Sequence, residues 1–400
     1  MKIIFMENEK GFGNVDMLDA MARYDEGGER LAVVRYPFQN TADRRDAQFE
    51  EALGKKIVEE QADIVFSFNY YPLIAEAVNG VKDRVHTRYV SWVYDSPHVS
   101  LFSYTLIFER NDVFLFDSAQ YKTFASQGIE TVHYLPLAAN PARLTAREIT
   151  PEIWKKYNAR IAFVGALYTE AHTFYDRMED RLDPYAKGYL EGVMRAQMKI
   201  DGINFVEQTL TPEVVALMQK AEEVRPNADG VESAAYLYAQ YFINRKITQT
   251  ERSEILREIG AHFPVTLYTM DKSFHAEGVT TKGEIDYYDM MPYVFRCTDI
   301  NLNITLRSIT AGIPLRVFDI MGAGGFVLTN FQPDLTMFFT QGEDFVYYES
   351  REDLIEKTEY YLTHDSERKK IAARAYEKVC AAHTFSHRLR EILDVVSSKY

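Results

Sequence analysis

Short β-rich apolar runs alternate with stretches of helical periodicity along the first third of the chain, and this alternation restricts the fold more than any other feature. The runs are Ile3 to Met6, Leu31 to Arg35, Ile64 to Phe68, Tyr89 to Tyr94, Val113 to Phe116 and Thr131 to Leu135. Between the second and third, Phe49, Ala52, Leu53 and Ile57 share one helical face. Strand, helix, strand, repeated, demands a parallel sheet with helices on both faces, so this region is expected to be a doubly wound α/β domain.

A turn-rich stretch from Pro136 to Pro151 interrupts the rhythm, and a linker is expected near residues 140–158. A new strand then ends at Gly165, after Arg160 to Val164. From Glu170 to about Lys246 the chain carries only helix-forming sequence. The alternation resumes at Val265 to Tyr268, Asp299 to Thr305, Gly325 to Thr329 and Phe345 to Tyr348. The expectation is two α/β domains, residues 1–150 and 151–385. A helical insertion at about 170–246 interrupts the second, and residues 386–400 form a C-terminal helix that crosses back to the first. A chain of 400 residues has length for this without covalent staples.

Composition narrows the function. The two cysteines, Cys297 and Cys380, belong to no metal-ligand cluster and fit a reducing compartment. The apolar run after Lys2 is only four residues long, too short for a signal-peptide core or a membrane span, so a cytoplasmic protein is expected. The formal charge of −14 disfavours nucleic acid as a partner.

Ligands of open parallel sheets bind at the carboxyl ends of the strands, which directs attention to Gly165, to Thr269 through Lys272, to Arg307 and Ser308, and to Asn330 through Asp334. The stretch Asn301 to Thr329 reads as strand, loop, helix, glycine turn, strand. Pro314 suits the first turn of a helix starting near Ile313, whose unpaired amides would form an anion site. Arg316 opposes the helix dipole in that first turn and points to a negative ligand or a carboxylate neighbour. Asp319, three residues on, is placed to accept from ribose hydroxyls.

The run Pro314-Leu-Arg316-Val-Phe-Asp319-Ile-Met-Gly-Ala-Gly324-Gly325-Phe-Val-Leu-Thr329 resembles the donor-binding signature of group-1 glycosyltransferases of the GT-B fold, in particular the CgeB-like, spore-maturation branch. The similarity extends through Asp334-Leu335, Gly342-Glu343-Asp344 and His383-Thr-Phe-Ser-His387-Arg388, and upstream to Ser91-Trp92-Val-Tyr94-Asp95-Ser96-Pro97-His98. The resemblance implies two Rossmann-like domains facing across a cleft, the first on the acceptor side. It further implies a nucleoside-diphosphate-sugar donor, UDP-sugar favoured, and Asp319 in the place of the ribose-gripping acid. Related retaining families carry a Glu eight residues before that acid, where this chain has Ala311, so inversion and retention both stay open.

Transfer needs the departing diphosphate stabilised and, for inversion, a base for the acceptor proton. The expected cations are Arg316, Arg307 and Arg245 or Lys246, together with the backbone at Gly165. The expected base is Asp95 or His98, just past the Tyr89 to Tyr94 strand. No DxD triplet is present, and metal-independent chemistry without a further cofactor is expected. The acceptor would be a protein, an envelope glycan or a lipid-linked molecule. Two other readings share the cleft: a nucleotide-sugar epimerase or sugar phosphorylase, and a non-catalytic glycan- or partner-binding protein.

Overall fold

The computed structural model describes residues 1–8, 11–169 and 173–399; the opening of the expected insertion, 170–172, and residue 400 lie outside the described residues. The chain divides into two compact units. Unit 1 comprises Met1–Ala138, Asn227–Glu232 and His383–Tyr400; unit 2 comprises Ala139–Pro226 and Ser233–Ala382.

Unit 1 is built on six parallel strands: β1 (Lys2–Glu7), β2 (Ala32–Pro37), β3 (Ile64–Phe68), β4 (Arg88–Val93), β5 (Asn111–Leu115) and β6 (Val132–Tyr134). Their order across the sheet is β2-β1-β3-β4-β5-β6. Every residue of β4 is buried, as a strand covered on both faces requires. Even its Arg88 is enclosed, held to Asp112 at 2.6 Å. Helix entries are set by side-chain caps: Asp46 accepts from the amides of Gln48 and Phe49, and Asp117 from that of Ala119.

Two pieces distant in sequence complete this unit. The helix Phe385–Ser397, opened by a Thr384/His387 capping box, lays Phe385 edge-on against Trp92 at 5.6 Å. Arg388 on the same helix donates to the carbonyl of Pro136 at 2.8 Å. The segment Asn227–Glu232 brings Asp229 and Glu232 to the buried Arg44, at 3.2 and 3.0 Å.

Unit 2 has a second parallel sheet, β7 (Ala159–Val164), β8 (Val265–Tyr268), β9 (Val279–Thr281), β10 (Thr298–Asn303), β11 (Val327–Asn330) and β12 (Val346–Tyr348), in the order β9-β8-β7-β10-β11-β12. Register pairs Phe163 with Leu267 on one side and Ile161 with Ile300 on the other. The three-residue strand β9 is an addition to the sequence-based expectation. It is a short, half-exposed edge, and nothing but a flanking Gly278 marks it.

In unit 2, residues 173–226 and 233–247 carry helices around a core of their own, with Tyr175, Met178, Leu190, Val214, Met218 and Tyr238 buried together. Asp183-Pro184 and Thr211-Pro212 start two of these helices, the side chain capping and the proline opening the first turn. A π-helical turn, Tyr238–Ile243, leads directly into the long helix Asn244–His262. Among the described residues no helix is long and apolar enough to cross a membrane.

Candidate functional site

In unit 2 the strand order reverses between β7 and β10, so the crevice outside their carboxyl ends is where a ligand belongs. Gly165 closes β7 with its amide on the Tyr268 carbonyl at 3.0 Å. The loop continues through Tyr168, a non-glycine residue at φ 58°. Such a conformation costs free energy and clusters at functional sites. The hydroxyl of Thr169 bonds Asp271, which ties this loop to the one after β8.

The helix Asn244–His262 supplies two arginines to this crevice. Arg252 is buried and donates to the carbonyls of Ala166 and Ile304, both at 2.6 Å, bridging the ends of β7 and β10. Arg245 lies seven residues earlier, on the same helical face, and both guanidinium groups lie over the Tyr168 ring, at 5.2 and 5.6 Å. Arg245 has no acidic partner among the described residues, and its Nε is buried without a hydrogen-bond partner. Lys246, its neighbour, is neutralised by Asp176 at 2.5 Å.

The other sequence-predicted cations are engaged. Arg307 follows β10, and its Nε and Nη2 face the two carboxylate oxygens of Glu251, while Nη1 reaches Asp201 at 2.6 Å and the Ile200 carbonyl at 2.9 Å. Burial pushes the Glu251 carboxyl up, but the two-pronged contact with a permanently charged guanidinium keeps the pair ionic. Arg307 therefore ties the strand-end loop to the inserted helices. Ser308 is buried in the turn that follows.

Arg316 places its guanidinium 5.5 Å over the Phe295 ring, against the Met291 sulfur, and 3.7 Å from Asp319. The carboxylate neighbour expected from its position is thus Asp319. The helix begins at Leu315, with Pro314 as its extended N-cap (ψ 150°), rather than near Ile313. Asp319 is 1% exposed and accepts from the Tyr287 hydroxyl at 3.0 Å. Tyr287 in turn lies under Arg143, at 5.1 Å. Gly322, later on this helix, permits a close approach: a Cβ there would stand 2.6 Å from that of Ala139. Ala311 is buried, and its carbonyl accepts from the Asp334 amide at 3.0 Å.

Beside Arg307 a small polar pocket opens between the loops after β10 and β11, lined by Thr305, Thr310, Asn330, Gln332 and the inserted Asn204. Gln332 is 3% exposed, and its Oε1 finds no hydrogen-bond partner among the described residues. Among those residues no group of three or more His, Cys, Asp or Glu side chains is arranged to hold a metal ion.

In unit 1 the strand order reverses between β1 and β3, which defines a second crevice. Asn69, just past β3, has φ 59°. Its side-chain oxygen accepts from the amides of Tyr94 and Asp95, both at 3.1 Å, and its Nδ2 donates to the Asp95 carboxylate at 2.7 Å. Burial raises the Asp95 carboxyl, against the opposing pull of His98 and Asn69. The same burial lowers His98, whose Nε2 bonds the Tyr70 carbonyl at 2.7 Å. The Tyr70 amide also lies on Nε2, at 3.1 Å, so the Tyr70 backbone holds that nitrogen from both its carbonyl and its amide. Asp95 and His98 are thus brought together and interact electrostatically, and Asn69 is a positioning residue that no sequence motif announced.

Solved structures with this architecture span the whole chain. Among them are a glycosyltransferase from Rickettsia africae (10% identity, TM-score 0.53, covering 99% of this chain and 98% of that one) and Anabaena HepE in complex with UDP-glucose (10%, 0.54, all of both chains). Sucrose-phosphate synthase from Thermosynechococcus elongatus is a third (9%, 0.53, all of both chains). At such identity the likeness is one of fold, and the fold is GT-B: two Rossmann-like α/β units. Residues 250–394 match the family described as glycosyl transferase-like, which makes the class of the chain that of the glycosyltransferases. No curated protein matches the chain.

Proposed function

We propose that this protein moves a sugar from a nucleoside-diphosphate-sugar, a UDP-sugar in preference, to an acceptor hydroxyl. The diphosphate rests on Arg245 and on the backbone of the Gly165 loop, with Ser308 and Arg316 at its edge; Asp319 takes the ribose. The unpaired carboxamide of Gln332 offers an acceptor to a donor hydroxyl. The observation that carries this reading is Arg245: a half-buried cation with no acidic partner among the described residues, stacked on a strained loop at the switch point of the sheet. A site of that kind is built for an anion.

The step balances simply. The acceptor oxygen forms a bond to the anomeric carbon as the bond from that carbon to the diphosphate oxygen breaks, its electron pair leaving with the nucleotide. The acceptor proton passes to Asp95 or His98 if the anomeric configuration inverts. With Ala311 in the place of the retaining families' Glu, we favour a role for these two groups. We further propose that Arg245 does the electrostatic work a metal does elsewhere, that the chain belongs to the CgeB-like branch, and that it acts in the cytoplasm, in keeping with two free thiols. Its acceptor would be a protein, envelope glycan or lipid-linked molecule.

Thermal shift against UDP, ADP, GDP and CDP tests the donor site. Saturating UDP, at 100 times Kd, should add about 2.7 kcal/mol, and a protein that no nucleoside diphosphate stabilises has no donor site. Slow release of UDP from a UDP-sugar supports transfer. Conversion of the donor to its epimer, followed by NMR, would replace transfer with epimerisation.

A further inference from the structure

We infer that Arg44 is a positioning residue for the Asp95–His98 pair: clamped by Asp229 and Glu232, it grips the chain at Val99 and so fixes the loop that carries the pair. This rests on the glycosyl-transfer reading, in which one of those two groups takes the acceptor proton. Arg44 lies on the loop after β2 and is 6% exposed, and the Glu232 side chain opposite it is fully enclosed. Its Nη2 donates to Glu232 Oε1 and to the Val99 carbonyl, both at 3.0 Å, while Nη1 reaches Asp229 at 3.2 Å. Val99 is the residue after His98. The segment Asn227–Glu232 also runs beside the chain that follows. The Val231 amide donates to the Phe102 carbonyl at 2.9 Å, Ser103 pairs with Gly230 in an antiparallel bridge, and Asp229 accepts from the Ser103 hydroxyl at 3.4 Å. Glycine at 230 leaves room for the clamp: a Cβ there would overlap the Glu232 carboxylate and stand 2.6 Å from Arg44 Nη1.

The loop after β3 holds His98 as well. The Tyr70 backbone meets Nε2, and Tyr71 sets its ring edge-on to the imidazole at 6.3 Å while its hydroxyl donates to Asn40 at 2.5 Å. Asn40 and Arg44 belong to one loop, which therefore touches the surroundings of His98 twice. A buried ion cluster adds little stability over well-packed apolar residues, and its best-attested use is to fix one arrangement among several. Here it fixes the backbone next to His98, where two 3₁₀ turns, Val99–Phe102 and Tyr104–Ile107, have no sheet ladder to hold them. The charged and titratable groups around the imidazole are Asp95 on its own loop, Tyr71 on the loop after β3, and Arg44 with Asp229 and Glu232 beyond it. Burial lowers His98, the Tyr70 backbone and Asp95 raise it, and the Arg44 charge lowers it further. Loss of Arg44 should thus free the loop and let His98 keep a proton more readily.

The whole chain is assayed for UDP release from UDP-glucose and UDP-N-acetylglucosamine, and His98 is followed by NMR of labelled histidine, its signal identified by its loss in His98→Gln. Arg44→Met should lower kcat about 10- to 100-fold while the UDP Kd stays within about twofold of the parent's, and the His98 titration midpoint should rise. Gly230→Ala, which expels the clamp but keeps every charge, should lower kcat in the same range. Glu232→Gln retains the Oε1 that serves Arg44 and both nitrogens of Asn227, and should recover most of what Glu232→Ala loses. If Arg44→Met does not fold, Arg44→Met/Glu232→Gln takes its place, since it leaves no enclosed carboxylate without a partner. The inference is overturned if either kcat or the His98 midpoint of the folded Arg44 variants matches the parent's, or if Glu232→Gln loses as much as Glu232→Ala. A parent that releases no UDP refutes the transfer reading instead, and the His98 midpoint then decides on Arg44 alone.

Discussion

Replacing Arg245 and Arg307 by alanine, one at a time, separates the two uses of a buried arginine. Arg307 neutralises Glu251 and Asp201, so Arg307→Ala strands a buried carboxylate. Breaking such a pair costs about 3–5 kcal/mol. For a unit the size of unit 2, each kcal/mol is about 2–4 °C in Tm, so a drop of roughly 6–20 °C is expected without any ligand. Among the described residues Arg245 has no such partner to strand, and removing its unpaired Nε relieves a desolvation penalty. Arg245→Ala should therefore melt no lower than the parent. Its cost should appear with UDP, where a lost hydrogen bond to a charged group is worth about 1.5–3 kcal/mol, a Kd raised roughly 10- to 100-fold. Titration calorimetry measures the Kd, and scanning calorimetry the Tm. A UDP Kd unchanged within twofold in Arg245→Ala, or a Tm as low as that of Arg307→Ala, would refute the assignment.

Three further outcomes are expected. Asp319→Asn keeps an acceptor for Tyr287 but loses the charge, and should weaken UDP binding about tenfold or more, against a few-fold for Tyr287→Phe, both by calorimetry. Asp95→Asn should lower kcat by about 10²–10⁴ while leaving UDP affinity unchanged. Burial raises the Asp95 carboxyl in the folded state, so its ionisation opposes folding above that raised pKa. The Asn variant should then match or exceed the parent's Tm at neutral pH, and lose that advantage as pH falls towards the ordinary value of 3.8. With Asp95 raised and His98 lowered, the acid limb of kcat/KM should lie above 3.8 if Asp95 is the base and below 6.5 if His98 is; a limb below 3.8 removes Asp95, and one above 6.5 removes His98. Transfer should persist in EDTA, and its loss with recovery on added Mg²⁺ would reassign the leaving-group chemistry.

The α/β plan was readable because parallel strands are buried on both faces and appear as unbroken apolar runs; β4 is buried from end to end. Where that physics fails, so does the reading: β9 is a half-exposed three-residue edge and left no run to see. The strand-end rule led to the loops at the carboxyl ends of the sheet but not to the state of their charges. Arg307 is neutralised by residues 56 and 106 positions away, and Asp319 is held by a tyrosine 32 positions away, separations that no local pattern encodes. In the sequence, Arg245 differs in no way from a paired arginine. Only its surroundings show that no acid among the described residues compensates its charge.

The three-piece composition of unit 1 bears on how the chain is made. Domains usually fold as they leave the ribosome, the N-terminal one first. Here the six parallel strands of unit 1, translated ahead of those of unit 2, must wait for Glu232 to reach Arg44, for Phe385 to cover Trp92, and for Lys399 to reach the buried Asp112. By then every strand of unit 2 has already been translated. The crevice carrying Asp95 belongs to a unit whose first piece is translated before unit 2 and whose last piece follows it, and during that interval Trp92 and the carboxylate of Asp112 depend on other cover.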